Sequence, residues 1–198
     1  MGDVQAQEAT RQNDEAKIDQ YLTFTLADEQ YAVSVLYVWK VLEYTQITRV
    51  PKTPDFMRGV INLHGSVVPV MDLRLKFNMS KTEQNIDTSI IAMEIDMDGE
   101  KVPVGVLADS VEEVIELSEN NIEPAPKIGT RVDNEFIQGM GKKDEDFIIL
   151  LNIEKIFSIE EIQSAGSWSQ STREEKSVQK STEKGNNPDK GANSGKAE

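Results

Sequence analysis

The chain has 198 residues, no cysteine, one histidine and a formal charge of −14 from 21 Lys/Arg against 35 Asp/Glu. Without cysteine there is no disulfide framework, thiolate nucleophile or zinc–thiolate site, which suits a reducing cytoplasm, and the acid excess argues against nucleic acid or anionic lipid as main partners, since both need a basic footprint. No stretch approaches the about 20 apolar residues of a membrane span, so direct membrane insertion is not expected, and the N-terminus lacks the apolar region of a signal peptide.

Residues 1–19 are polar and poor in large apolar side chains, and are expected to be disordered. Tyr21–Leu26 alternates, Asp28-Glu29-Gln30 turns, and Tyr31–Val35 alternates again, a hairpin. Val35-Leu36 is followed by Val38 and Val41, a three-residue spacing that suits a short helical turn with one apolar face. Asn62-Leu63-His64-Gly65-Ser66 is a second hairpin turn in which Gly65 can take φ > 0. The continuous apolar strand Val67–Met71 runs into Asp72, a candidate helix cap. Ser89–Ile95, a turn ending at Gly99, and Lys101–Val106 form another hairpin, with Pro103 pointing to an edge or bulge. Val106-Leu107 is followed by Val111 and Val114, a second candidate helical turn. The acidic run Glu112, Glu113, Glu116, Glu119, Glu123 reads as a solvated face, since it lacks the turn-defined spacing of a calcium loop. Residues 159–198 are expected to form a short helical extension and a disordered polar tail, leaving 20–158 as the ordered domain.

Part of this plan occurs twice. Phe56-Met-Arg-Gly59 and Phe136-Ile-Gln-Gly139 lie 80 residues apart, and the same offset relates Val67–Met71 to Phe147–Leu151, Asp72-Leu73 to Asn152-Ile153, and Phe77 to Phe157. Each copy reads as an apolar strand, a cap, and a short helix closed by Phe. Short strands in a free sheet leave exposed edges that barrel closure removes. About five strand candidates per copy therefore predict a mostly β protein of two tandem small five-stranded barrels, SH3-like or OB-like, with short helices.

No catalytic constellation assembles. Any Ser/His/Asp triad or histidine metal site would have to use His64, which reads better as a turn or surface residue, or as a protein contact, than as a catalyst. Arg58 is either a solvated charge or an interface anchor, and its counterpart Gln138 says the fold does not require a cation there. Trp39 lies off the face of Val35, Val38 and Val41, which favours an interface over the core. Walker and dinucleotide phosphate cradles are missing, and no cofactor or metal is expected.

Tyr21–Leu26, Tyr31–Leu36, Thr53–Gly59 with Val60–Gly65, Val68–Arg74, Pro124-Ala-Pro126 and Ile149–Lys155 together resemble the CheW family over about Gln20 to Ser158. The resemblance implies two SH3-like five-stranded barrels around a shared core and no catalytic activity. It implies a cytoplasmic adaptor that is a monomer in isolation and couples the regulatory domain of the histidine kinase CheA to the cytoplasmic tips of methyl-accepting chemotaxis receptors, in rings or arrays with CheA. It puts the receptor in a groove between the barrels, for which Val35, Val38 and Val41 from the first module and Ile91, Met93 and Val106 from the second are the apolar candidates, lining it or just beneath. Trp39, Lys40, Arg58 and His64 are the kinase or receptor contact candidates. Two of them depart from the family pattern: His64 stands where an arginine is usual and Lys40 where an acid is common, so partner specificity is open. The competing readings are a structural ring subunit that binds kinase but no receptor, and a small-barrel enzyme or ligand-binding protein using the cleft between modules.

Overall fold

The computed structural model describes residues 17–97, 99–125, 132–143, 146–158 and 161. Eleven strands and two one-turn helices follow in chain order: β1 Ile18–Leu26, β2 Glu29–Ser34, β3 Val38–Glu43, β4 Met57–Leu63, β5 Ser66–Asp72, α1 Leu73–Lys76, β6 Ser89–Met97, β7 Glu100–Ala108, β8 Ser110–Ser118, β9 Ile122–Glu123, β10 Ile137–Lys143, β11 Asp146–Leu151 and α2 Ile153–Ile156. The mostly β, two-barrel expectation holds. The N-terminal boundary moves, because Ile18 and Asp19, expected to be disordered, pair with Ser118 and Leu117. Lys17 and Glu161 aside, the other expectations for the two tails lie outside the described residues.

Tandem describes the repeat but not the barrels. One sheet runs β8-β1-β2-β11-β10-β9 and the other β3-β6-β7-β5-β4. After each hairpin the chain crosses to the opposite sheet, from β2 to β3 and from β7 to β8. Each barrel therefore combines the hairpin of one repeat with the later strands of the other, joined by the two parallel pairings β5·β7 and β11·β2. A parallel neighbour cannot be supplied by a tight turn, so it must come from elsewhere in the chain. Glu119–Asn121 links β8 to β9, the first and last strands of the larger sheet. In the smaller sheet Thr48 bridges to Val60 of β4, carrying the chain beyond β3 round to the last strand.

Three apolar clusters follow from this arrangement. Ile61, Leu63, Val68, Val70, Ile90, Ala92 and Leu107 fill the smaller barrel, and Tyr21, Ala32, Ile115, Leu117, Ile148 and Leu150 fill the larger. The largest cluster lies between the sheets, with Phe24, Tyr31 and Ile149 from one and Met71, Ile91, Met93 and Val106 from the other. Ile90 and Ala92 point into the barrel while Ile91 and Met93 point to the shared core. Burial on both faces is why Ile90–Met93 is continuously apolar instead of alternating. Four rings run through the shared core in sequence, Phe24, Tyr31, Phe77 and Phe136, with centroids 6.1–6.2 Å apart.

Both predicted helical turns after the hairpins are bulged strands. Val38 pairs with Met93 but Lys40 with Ala92, so Trp39 is an extra residue, and Val41 then pairs with Ile91. On β8, Val114 pairs with Leu22 and Val111 with Phe24, so that strand also carries one extra residue. A bulge puts residues i and i+3 on one face, as a helix does.

The caps formed as read. Asp72 accepts from the backbone N–H groups of Arg74 and Leu75 at the start of α1, and Asn152 from that of Lys155 at the start of α2. His64 and Gly65, at φ 52° and 89°, are the two central residues of the turn between β4 and β5. Positive φ at both is the geometry that matches strand twist in a two-residue hairpin. Pro103 pairs with Glu94 on β6, while β5 reaches β7 only from Gly105 to Leu107. The other side of Pro103 is thus an open edge.

Candidate protein-docking site

The candidate site begins where the chain leaves one sheet for the other. Val35 N–H donates to Gln20 O at 3.0 Å, Tyr37 N–H to Ser34 O at 3.1 Å and Val38 N–H to Val35 O at 3.1 Å, which folds residues 34–38 into a tight crossing. Tyr37 O then accepts from Glu94 N–H at 2.9 Å and its hydroxyl donates to Glu154 Oε1 at 2.9 Å, tying the crossing to β6 and α2. Burial, then the Glu154 hydrogen bond and charge, push the Tyr37 phenol above its ordinary value.

Beyond the crossing, β3 is the outer strand of its sheet. Val41, Ile91 and Val106 are successive cross-strand partners, and so are Val38 and Met93. Directly opposed residues share a face, so these five side chains face the shared core together. Ile91, Met93 and Val106 are fully buried and lie beneath the surface. Val35 and Val38 pack half-buried against the same cluster, and Val41 is 39% exposed. The core therefore emerges to solvent along β3. These residues do come from both repeats, and all but Val35 sit on one sheet, because the crossing delivers β3 to β6 and β7.

Three of the four contact candidates gather at one end of this barrel. The Trp39 ring, 43% exposed, lies 6.4 Å from the His64 ring, and the exposed Lys40 follows it. Arg58 does not join them. It is the extra residue of a bulge at the start of β4, opposite Met71 and Val70, six residues or about 20 Å of strand from His64. The bulge turns its side chain to Asp72, where Nη1 donates to Oδ2 at 2.8 Å. Gln138 occupies the same bulge in the second repeat. Gly59, beside Arg58, has φ 137°, and a Cβ there would sit 2.1 Å from Thr48 O, so only glycine lets the loop close against β4.

The sequence reading missed Leu36 and Tyr37. Leu36, at the apex of the crossing, is 87% exposed, and with Ile18 and Val35 it walls a small cleft between β1 and the crossing. Local patterning made Leu36 part of a helix, so its exposure was not visible. Tyr37 carried no signal, because its partner Glu154 is 117 residues away.

Two interlocked β-barrels packed through a common core, with apolar side chains emerging along an outer strand, define the class: a double-barrel β protein with a candidate docking face. A family model described as the CheW-like domain matches residues 20–161. The chain is 38% identical over 143 residues to a chemotaxis protein CheW of Klebsiella aerogenes, spanning 72% of this chain and 84% of that one. It is 36% identical over 152 residues to a chemotaxis protein CheW of Thermotoga maritima, spanning 75% and 93%. The solved structure of the scaffolding protein TtCheW from Thermoanaerobacter tengcongensis matches with a TM-score of 0.66 at 34% identity, covering 76% of this chain and 94% of that one. The chain belongs to the CheW family.

Proposed function

We propose that this chain is a non-catalytic cytoplasmic adaptor that couples the regulatory domain of CheA to the cytoplasmic tips of methyl-accepting chemotaxis receptors. Family membership supports the role, and one observation supports the place: the shared core reaches the surface along β3, at Val38 and Val41. A receptor tip is a helical hairpin, and helices bind by laying an apolar stripe into such a surface. Trp39, Lys40 and His64 stand at the rim, where charged groups mostly tune rates and partner choice. Lys40 and His64 replace the family's usual charges and so shift which partner carboxylates or cations fit.

Titration calorimetry with the CheA regulatory domain and with a receptor-tip fragment tests the reading, and kinase activation in the ternary mixture tests coupling. Val38→Asp should weaken receptor binding by about 2 kcal/mol or more, because it buries a charge without a partner. His64→Ala should cost less than about 1 kcal/mol as a rim change. His64→Arg should strengthen binding to receptors whose carboxylate faces it. A folded Val38→Asp variant that binds receptor normally would move the groove elsewhere. Binding to kinase without receptor would make the chain a structural ring subunit.

A further inference from the structure

Between β3 and β4 the chain loops through residues 44–56 and, with Leu75 of α1 and Lys81, walls an open cavity of about 870 Å³. Its lining holds four cationic side chains, Arg49, Lys52, Arg58 and Lys81, against one carboxylate, Asp55. Asp72 neutralises Arg58. Arg49, Lys52 and Lys81 are exposed and form no salt bridge among the described residues. In a chain of net charge −14 this is a local positive surplus that the fold itself does not use. Ile47 and Leu75 add apolar surface to the same lining.

We propose that this cavity docks an acidic segment of a partner protein, its apolar side chains against Ile47 and Leu75 and its carboxylates against Arg49, Lys52 and Lys81. A small-anion site would bring fixed, convergent polar groups onto its ligand. Here the cations are exposed, on long stems, and apolar surface interspersed with such charges is the makeup of a protein interface. An extended polyanion, whether nucleic acid or an anionic membrane, would also meet the acidic body around the cavity. A short acidic segment meets only the field within about 8–10 Å, one screening length. The inference does not rest on the adaptor reading, since none of Val35, Val38 and Val41 lines this cavity.

The test titrates the full chain with a short fluorescein-labelled peptide of glutamate and leucine at low and high salt. Binding should weaken as salt rises. The combined change Arg49→Glu, Lys52→Glu and Lys81→Glu should weaken it at least about tenfold, the effect of three rim ion pairs together. Lys17→Glu, Lys101→Glu and Lys155→Glu together alter net charge equally and should weaken it no more than about threefold. Melting curves confirm that both variants fold, and the three glutamine substitutions replace the reversal should it unfold. The proposal is overturned by absence of wild-type binding at about 1 mM peptide or by equal losses in the two variants. Pyrophosphate or phosphatidylglycerol vesicles binding as tightly as the peptide through the same three cations would overturn it too.

Discussion

Asp72 is fully buried, yet it accepts from Arg58 Nη1, the N–H groups of Arg74, Leu75 and Thr82, and Thr82 Oγ1. One carboxylate thus caps α1, holds the bulge of β4 and anchors the segment after α1. Asp72→Ala would leave the Arg58 guanidinium and four further donors uncompensated, and should cost about 3–5 kcal/mol in urea unfolding. Asp72→Asn should cost less, since asparagine caps as well and already does so at the equivalent Asn152. The cap was legible in the sequence because capping is local; the ion pair was not, since nothing in Phe-Met-Arg-Gly says where a bulge will aim an arginine. A second residue governs behaviour in alkali. The folded state holds the Tyr37 proton more tightly than the ordinary phenol value of 10.0, so stability is complete below about pH 10 and falls as pH rises toward the folded value. Unfolding followed from pH 8 to pH 11.5 should show Tyr37→Phe with a shallower alkaline decline than wild type. A remainder should persist from Tyr21, whose phenol is raised by burial and then by Asp19.

Each strand that follows a crossing carries one extra residue, and on β3 that residue is Trp39. Removing Trp39 would leave Val38 opposite Met93, Lys40 opposite Ala92 and Val41 opposite Ile91 in unbroken pairing. The deletion should therefore fold with stability within about 1 kcal/mol of wild type, although deleting a strand residue ordinarily flips every side chain beyond it. A loss of several kcal/mol would show that the bulge itself holds the crossing. The same bulge explains the misread element. Val35, Val38 and Val41 were expected to share a face and Val38 and Val41 do, but spacing alone cannot separate a helical turn from a kinked strand. The repeat of apolar strand, cap and terminal Phe was fully legible because all of its signals lie within a few residues.

Over the whole molecule, neither barrel can be assigned from the order of its strands, because a hairpin pattern does not name the sheet it will join. The parallel partners Val70–Gly105 and Ile149–Tyr31 are separated by 35 and 118 residues, counted from their numbers. The smaller barrel is contiguous, from β3 to β7, whereas the larger is split between the two ends of the chain. This division sets a timetable for a chain emerging from the ribosome. β1 and β2 appear first, yet their outer neighbours β8 and β11 are not complete until Ser118 and Leu151 have been made. At 5–20 residues per second the early hairpin waits roughly 5–20 s with both edges bare, while the later barrel forms first. Protease applied to stalled nascent chains should cut within residues 18–34 until the strand ending at Leu151 clears the exit tunnel, and only then find that hairpin protected. Early protection would mean that the hairpin finds a temporary partner during synthesis.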